Sequence, residues 1–235
     1  MHFHCSALRA CLALCLSLPW LAGCNRSASN PADAVAGHDD AGADETTDAA
    51  QATDRQARET APTAAKTYTP TIVLKTTMGD VTVKLDPQAA PRTVNNFLHY
   101  VESGLYNQTI FHQVEAGYVV LGGSYTSDLV ERPSRYPIPN EAANGRKNLR
   151  GTIAMARQIE AIDSSTSQFF VNLQDNPHLD HRGDSPEEYG FCVFGEVVEG
   201  MDVLDKISTV EVAESDDFKK LPVETVLIES AYRTR

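Results

Sequence analysis

The sequence is short of positive charge. Its 20 Lys and Arg stand against 32 Asp and Glu, a net charge of −12 over 235 residues. Nucleic-acid phosphates are neutralised by Lys and Arg, so a general nucleic-acid binder is excluded. Direct adhesion to an anionic lipid surface is disfavoured for the same reason. Cysteine is scarce where a fold would use it. Four of the five cysteines, at 5, 11, 15 and 24, fall in the first 24 residues, so no disulfide framework crosses the protein. The fifth, Cys192, lies in the apolar run Phe191-Cys192-Val193-Phe194 and reads as a small buried hydrophobe rather than a nucleophile. Long hydrophobic runs are also missing. The apolar stretch at 10–21 is too short for a bilayer-spanning helix, which needs about 20 residues.

That stretch follows a single charged residue, Arg9, and fits the apolar region of a secretory signal peptide over residues 1–23. It ends in Leu21-Ala22-Gly23-Cys24, which resembles the lipobox of bacterial lipoproteins. The resemblance implies cleavage before Cys24, then a diacylglycerol thioether and an N-acyl chain on that residue. Several acyl chains make a stable anchor where one does not. Asn25 follows the cysteine where inner-membrane retention uses Asp. The resemblance thus implies a lipid-anchored, periplasm-facing protein of the bacterial cell envelope, with the outer membrane favoured.

Residues 24–68 read as a disordered tether. Thirteen of these 45 residues are Ala, most of the rest are polar, and only Val35 and Tyr68 carry sizeable apolar side chains. Such a segment cannot bury enough surface to offset its ordering entropy. As a flexible chain it would reach about 35–40 Å.

Residues 69–235 carry the fold, with enough chain for one well-buried core. Residues 71–77 read as a strand, Met78-Gly79 turns, and residues 80–85 alternate apolar and polar with period two, a hairpin pattern. Pro91 suits a helix first turn. Val94, Phe97, Leu98 and Val101 then fall at i, i+3, i+4 and i+7, one helical face ending near Gly104. Further strand-like runs occur at 109–114, 118–121, 152–155, 169–173 and 191–198, a short helix at 201–207 and a closing strand at 226–232. Many strands with two helices predict a mainly β fold, a closed or nearly closed antiparallel barrel with helical plugs.

Five ordered blocks then carry a resemblance. Tyr106-Asn107-Gln108-Thr109-Ile110-Phe111-His112-Gln113-Val114 is followed by Gly117-Tyr118-Val119-Val120-Leu121-Gly122-Gly123. Pro139-Asn140-Glu141 precedes Arg150-Gly151-Thr152-Ile153-Ala154-Met155-Ala156; Ser167-Gln168-Phe169-Phe170-Val171 and Phe194-Gly195-Glu196-Val197-Val198-Glu199-Gly200-Met201 complete the set. Over residues 70–235 the sequence resembles the cyclophilin-type peptidyl-prolyl isomerases, the short bacterial type most of all. The resemblance implies an eight-stranded antiparallel barrel capped by two α-helices. It also implies rotation about Xaa-Pro bonds of unfolded or exported proteins by a monomer, without cofactor or metal. Such bonds have two forms separated by about 0.5–1 kcal/mol and a barrier of about 18–20 kcal/mol.

The resemblance assigns catalysis to Gln113 and His112. It assigns substrate binding to Tyr118, Val119, Leu121, Ala156, Arg157, Gln168, Phe170, Leu179 and Phe191. Two positions depart from the family pattern. Gln113 stands where the family has Arg after Phe-His, and Leu121 where it has Gln before Gly-Gly. A neutral amide replaces a charged, fixed set of donors, so weakened catalysis is expected. A non-catalytic proline-peptide-binding or chaperone-like module is the alternative.

Other readings compete at single residues. Phe111 reads as core, and His112 either lines the groove or is structural. His178 and His181 lack a third ligand at a recognisable spacing for a metal site. No nucleophile-elbow pattern supports a Ser-His-Asp triad.

Overall fold

The computed structural model describes residues 69–215 and 217–234; the signal segment and tether expected from the sequence lie outside the described residues. The expected hairpin forms from β1 (Thr71–Thr76) and β2 (Gly79–Leu85), with Thr76 opposite Gly79. Period two puts Ile72, Leu74, Val81, Val83 and Leu85 on the buried side. Gly79 has φ of 135°, and a Cβ there would stand 2.8 Å from Val203 Cγ2. Both the turn and the close packing therefore require glycine.

Helix α1 (Pro91–Glu102) starts with proline in its first turn and buries Val94, Phe97, Tyr100 and Val101. Leu98, expected on that face, is only half-buried. Phe97 and Tyr100 instead direct the helix, because both rings pack on Tyr106, at 5.0 and 5.8 Å between centroids.

The remaining strands are β3 (Thr109–Glu115), β4 (Val119–Thr126), β5 (Thr152–Met155), β6 (Phe169–Asn172), β7 (Val193–Glu199), β8 (Val212–Ala213), β9 (Leu221–Pro222) and β10 (Leu227–Arg233), with helix α2 (Met201–Ser208) between β7 and β8. Eight strands close a barrel in the order β1-β10-β3-β4-β6-β5-β7-β2, every pairing antiparallel. The expected barrel with two helices is the fold. Each barrel strand sends side chains to one core, centred on Phe97, Tyr106, Phe169 and Phe194. Phe111 belongs to it and is 1% exposed. Cys192 is buried there too, its thiol pushed up to about 11 mainly by burial, as suits an unreactive residue.

Two details differ from the sequence pattern. The strand expected from 191 begins at Val193, because the Phe191 N–H donates to the Leu179 carbonyl instead of to a strand. The small β8–β9 sheet is the second difference, since two-residue strands carry no periodic signal.

Candidate functional site

Four adjacent barrel strands, β4, β6, β5 and β7, are apolar on both faces. Val120, Phe169, Val171, Ile153, Met155 and Phe194 point into the core. Their alternate neighbours Val119, Leu121, Phe170, Ala154 and Val193 form a second apolar cluster with Ala156, Leu179 and Phe191, against which Tyr118 and Ile159 pack. Period two makes this the outer face of the barrel wall. Phe170, Leu179 and Phe191 are 3–5% exposed and Val119 and Ala156 are 7% exposed, so the cluster just reaches the surface.

Phe191 is held from two sides. Its ring meets Phe170 edge to face at 5.5 Å, and the Arg157 guanidinium lies 5.2 Å from its centroid. Arg157 itself is buried. It donates to the carbonyls of Gly190, Gln158, Ile159 and Pro186. Burial lowers its pKa from the ordinary value, and Glu187 and Glu160 oppose that shift. With its donors spent on backbone, Arg157 acts as a clamp between two loops rather than as a hand extended to substrate.

Tyr118 stacks on His178, with centroids 5.5 Å apart and planes at 15°, and its hydroxyl lies 2.8 Å from His178 Nε2. Burial, with the Glu115 charge second, pushes the Tyr118 hydroxyl up to about 12. His178 thus forms an aromatic rim, while His181 Nδ1 lies 3.0 Å from the Tyr189 carbonyl.

Gln113 reaches this face through an irregularity in β3. Phe111 pairs with Gly122 and Gln113 with Leu121, so two β3 steps oppose one on β4. This bulge re-aims the strand. Phe111 and Val114, three apart, both enter the core, and Gln113 lies across from Leu121 in the outer cluster. The Gln113 amide donates from Nε2 to Glu115 Oε1 at 2.7 Å. Gln168 is half-buried at the head of β6, and its carbonyl accepts the Ala156 N–H at 3.0 Å.

His112, the other residue assigned to catalysis, is not brought to this cluster. It is 4% exposed, and its ring packs against Tyr125 at 4.8 Å and Phe218 at 5.9 Å. Burial lowers its pKa to about 4, against a smaller opposing effect of the Ile110 backbone. Among the described residues its Nδ1 has no hydrogen-bond partner.

Sequence reasoning missed Glu115, Ala154, Val193 and the rim role of His178. Steps of two along the chain from Gln113, Ala156 and Phe191 were the signal that would have found the first three.

A family model described as cyclophilin type peptidyl-prolyl cis-trans isomerase/CLD matches residues 71–233. Peptidyl-prolyl cis-trans isomerase A of Dickeya dadantii is 46% identical over 170 residues, covering 72% of this chain and 87% of that protein. Peptidyl-prolyl cis-trans isomerase B of Escherichia coli is 46% identical over 159 residues, covering 68% of this chain and 96% of the relative. Among solved structures, a cyclophilin type peptidyl-prolyl cis-trans isomerase of Cryptosporidium parvum superimposes with a TM-score of 0.58 at 22% identity, covering 72% of this chain and 99% of that one.

Proposed function

Because the chain belongs to the cyclophilin-type peptidyl-prolyl isomerase family and is a peptidyl-prolyl cis-trans isomerase, we propose that it turns Xaa-Pro bonds of exported proteins from a lipid anchor on Cys24 at the periplasmic side of the cell envelope. The outer cluster would seat the proline ring, and Gln113 would be the donor to the bond being turned. One observation carries the assignment. Tyr118, Val119, Leu121, Ala156, Phe170, Leu179 and Phe191, chosen by motif alone, pack in one cluster with Gln113 across a strand pair from Leu121.

The chemistry breaks no covalent bond. Amide resonance makes the barrier, and it falls as the prolyl nitrogen lone pair leaves conjugation. The twisted nitrogen is then a better acceptor than the planar one. A donor fixed beside it and an apolar floor under the ring lower the barrier only by preferring that twisted state. An amide nitrogen carries two N–H groups. Glu115 takes one from Gln113, which leaves the other for substrate. A neutral donor forgoes the charge assistance of a guanidinium. A deficit of about 2–4 kcal/mol in transition-state stabilisation slows the reaction about 30- to 1,000-fold.

The test is exchange NMR on a proline peptide with the protein from residue 67 onward. Catalysed exchange supports the reading. Peptide binding without faster exchange would favour the alternative, a proline-peptide-binding module, for which the neutral Gln113 at the donor position is the favouring observation.

A further inference from the structure

The residue that departs most from the motif does not act alone. Glu115 lies two positions along β3 from Gln113, accepts its amide at 2.7 Å, and is close enough to Tyr118 to bear on its hydroxyl. Val119, its partner across the β3–β4 pair, is a member of the outer cluster. One carboxylate thus touches the amide assigned to donate and flanks the aromatic rim. At the other end of the cluster, Glu160 and Glu187 act on Arg157, which sits over Phe191. Arg157 is the cation there, and its donors are turned to backbone carbonyls.

We propose that Glu115 is both the positioning residue for Gln113 and the charge that selects substrate, so that the site prefers proline segments carrying Lys or Arg beside the proline. This rests on the outer cluster being the proline seat. The physical argument has two parts. The half-buried Gln113 side chain loses rotamer freedom when it engages substrate; a fixed acceptor at Oε1 of Glu115 takes up that loss beforehand and leaves one N–H aimed. The same carboxylate meets no neutralising group in this pair, because an amide is uncharged. A cationic substrate side chain is attracted across a short gap, and an acidic one is repelled.

The experiment uses the full-length protein and peptides identical except for Lys, Ala or Glu at the residue before the proline, with a second set varied at the residue after it. Exchange NMR gives kcat and KM, and titration gives Kd. In at least one set, kcat/KM should follow Lys over Ala over Glu, with about fivefold between Lys and Glu at low ionic strength. That ratio should shrink towards one in about 1 M salt. Glu115→Gln should shrink the ratio at low salt as well. Glu115→Ala should also lower kcat on the Ala peptide about threefold or more, with KM changed less, and Glu115→Gln, which keeps an acceptor, should recover part of that loss. Thermal unfolding of each variant checks folding. Equal rates for Lys and Glu peptides in both sets would overturn the selection. An unaltered kcat in Glu115→Ala would overturn the positioning. If wild type turns no peptide, the isomerase reading fails instead, and the Kd order among the same peptides decides the charge preference by itself.

Discussion

The ring of Phe170 stands edge-on to the ring of Phe191, with centroids 5.5 Å apart and planes at 80°. Such a pair contributes about 0.5–1.5 kcal/mol beyond burial. Phe170 comes from β6, in the barrel wall, whereas Phe191 comes from the loop whose Gly190 carbonyl Arg157 holds. The proposed proline seat is therefore half wall and half loop, and the loop half is kept in place by a buried guanidinium.

Phe170→Ala should weaken binding of a proline peptide by about 1.5–3 kcal/mol. Truncating a buried Phe also destabilises a domain by about 3–5 kcal/mol. Thermal unfolding therefore comes first, and titration follows on the folded variant. Unchanged affinity in a folded variant removes Phe170 from the seat.

Arg157→Met should lower stability by about 3 kcal/mol, because several carbonyls lose their donor. For a domain of this size that is about 6–12 °C in Tm. Arg157→Lys should rescue little, since an ammonium cannot reproduce the planar fork. Differential scanning calorimetry of both variants measures it. A Tm within about 2 °C of wild type would show that the clamp is not structural.

Gln113→Arg should raise kcat/KM about tenfold or less, a gain of about 1.4 kcal/mol or less. Leu121, opposite it in register, offers no hydrogen bond, and Glu115 stands ready to capture the new guanidinium. Adding Leu121→Gln should raise the rate by more than the two single changes combined, because touching sites couple. Gln113→Ala should slow whatever wild type achieves. Exchange NMR on one peptide compares wild type with Gln113→Arg, Leu121→Gln, the double variant and Gln113→Ala; strict additivity would contradict the coupling.

Acid should destabilise the domain through His112. Its folded pKa of about 4 lies below the ordinary value of about 6.5. The unfolded chain therefore binds a proton that the folded one refuses between these pH values. Stability falls as pH drops through that window, by up to about 3 kcal/mol in total. Urea unfolding at pH 7 and pH 4.5 should show the loss, and His112→Gln should reduce it. An equal loss in the variant would assign it to other groups.

Full-length protein should incorporate labelled fatty acid in a bacterial host and partition into detergent, while Cys24→Ser should do neither. Equal labelling of the two forms would remove the anchor.

The barrel was legible because β2 alternates with period two, the other strands read as short apolar runs between turns, and α1 repeats near 3.6. The outer cluster was legible only through motif resemblance, since a strand apolar on both faces, as in Val119-Val120-Leu121, reads simply as buried. The run Thr109–Glu115 gives no sign of its bulge. Strict alternation would have placed Gln113 beside Phe111 in the core, and only pairing with β4 reveals the step. Arg157 is assigned to substrate by resemblance alone, and two of its four acceptors, Pro186 and Gly190, lie 29 and 33 residues away in the chain. No local pattern reports such a partner. His112 was open between groove and structure for a related reason: its ring neighbours come from β4 and from Phe218, far along the sequence.

Unfolded proteins carry extended segments that anneal onto any sheet with an unpaired margin. Each of the eight barrel strands already has a neighbour on both sides. The two-stranded β8–β9 sheet has margins, but its strands are two residues long, and one ends in Pro222, which has no N–H to offer. Among the described residues, an extended backbone thus finds no long unpaired strand along which to zip up. An isomerase domain built this way can meet such segments repeatedly without being recruited into their aggregates.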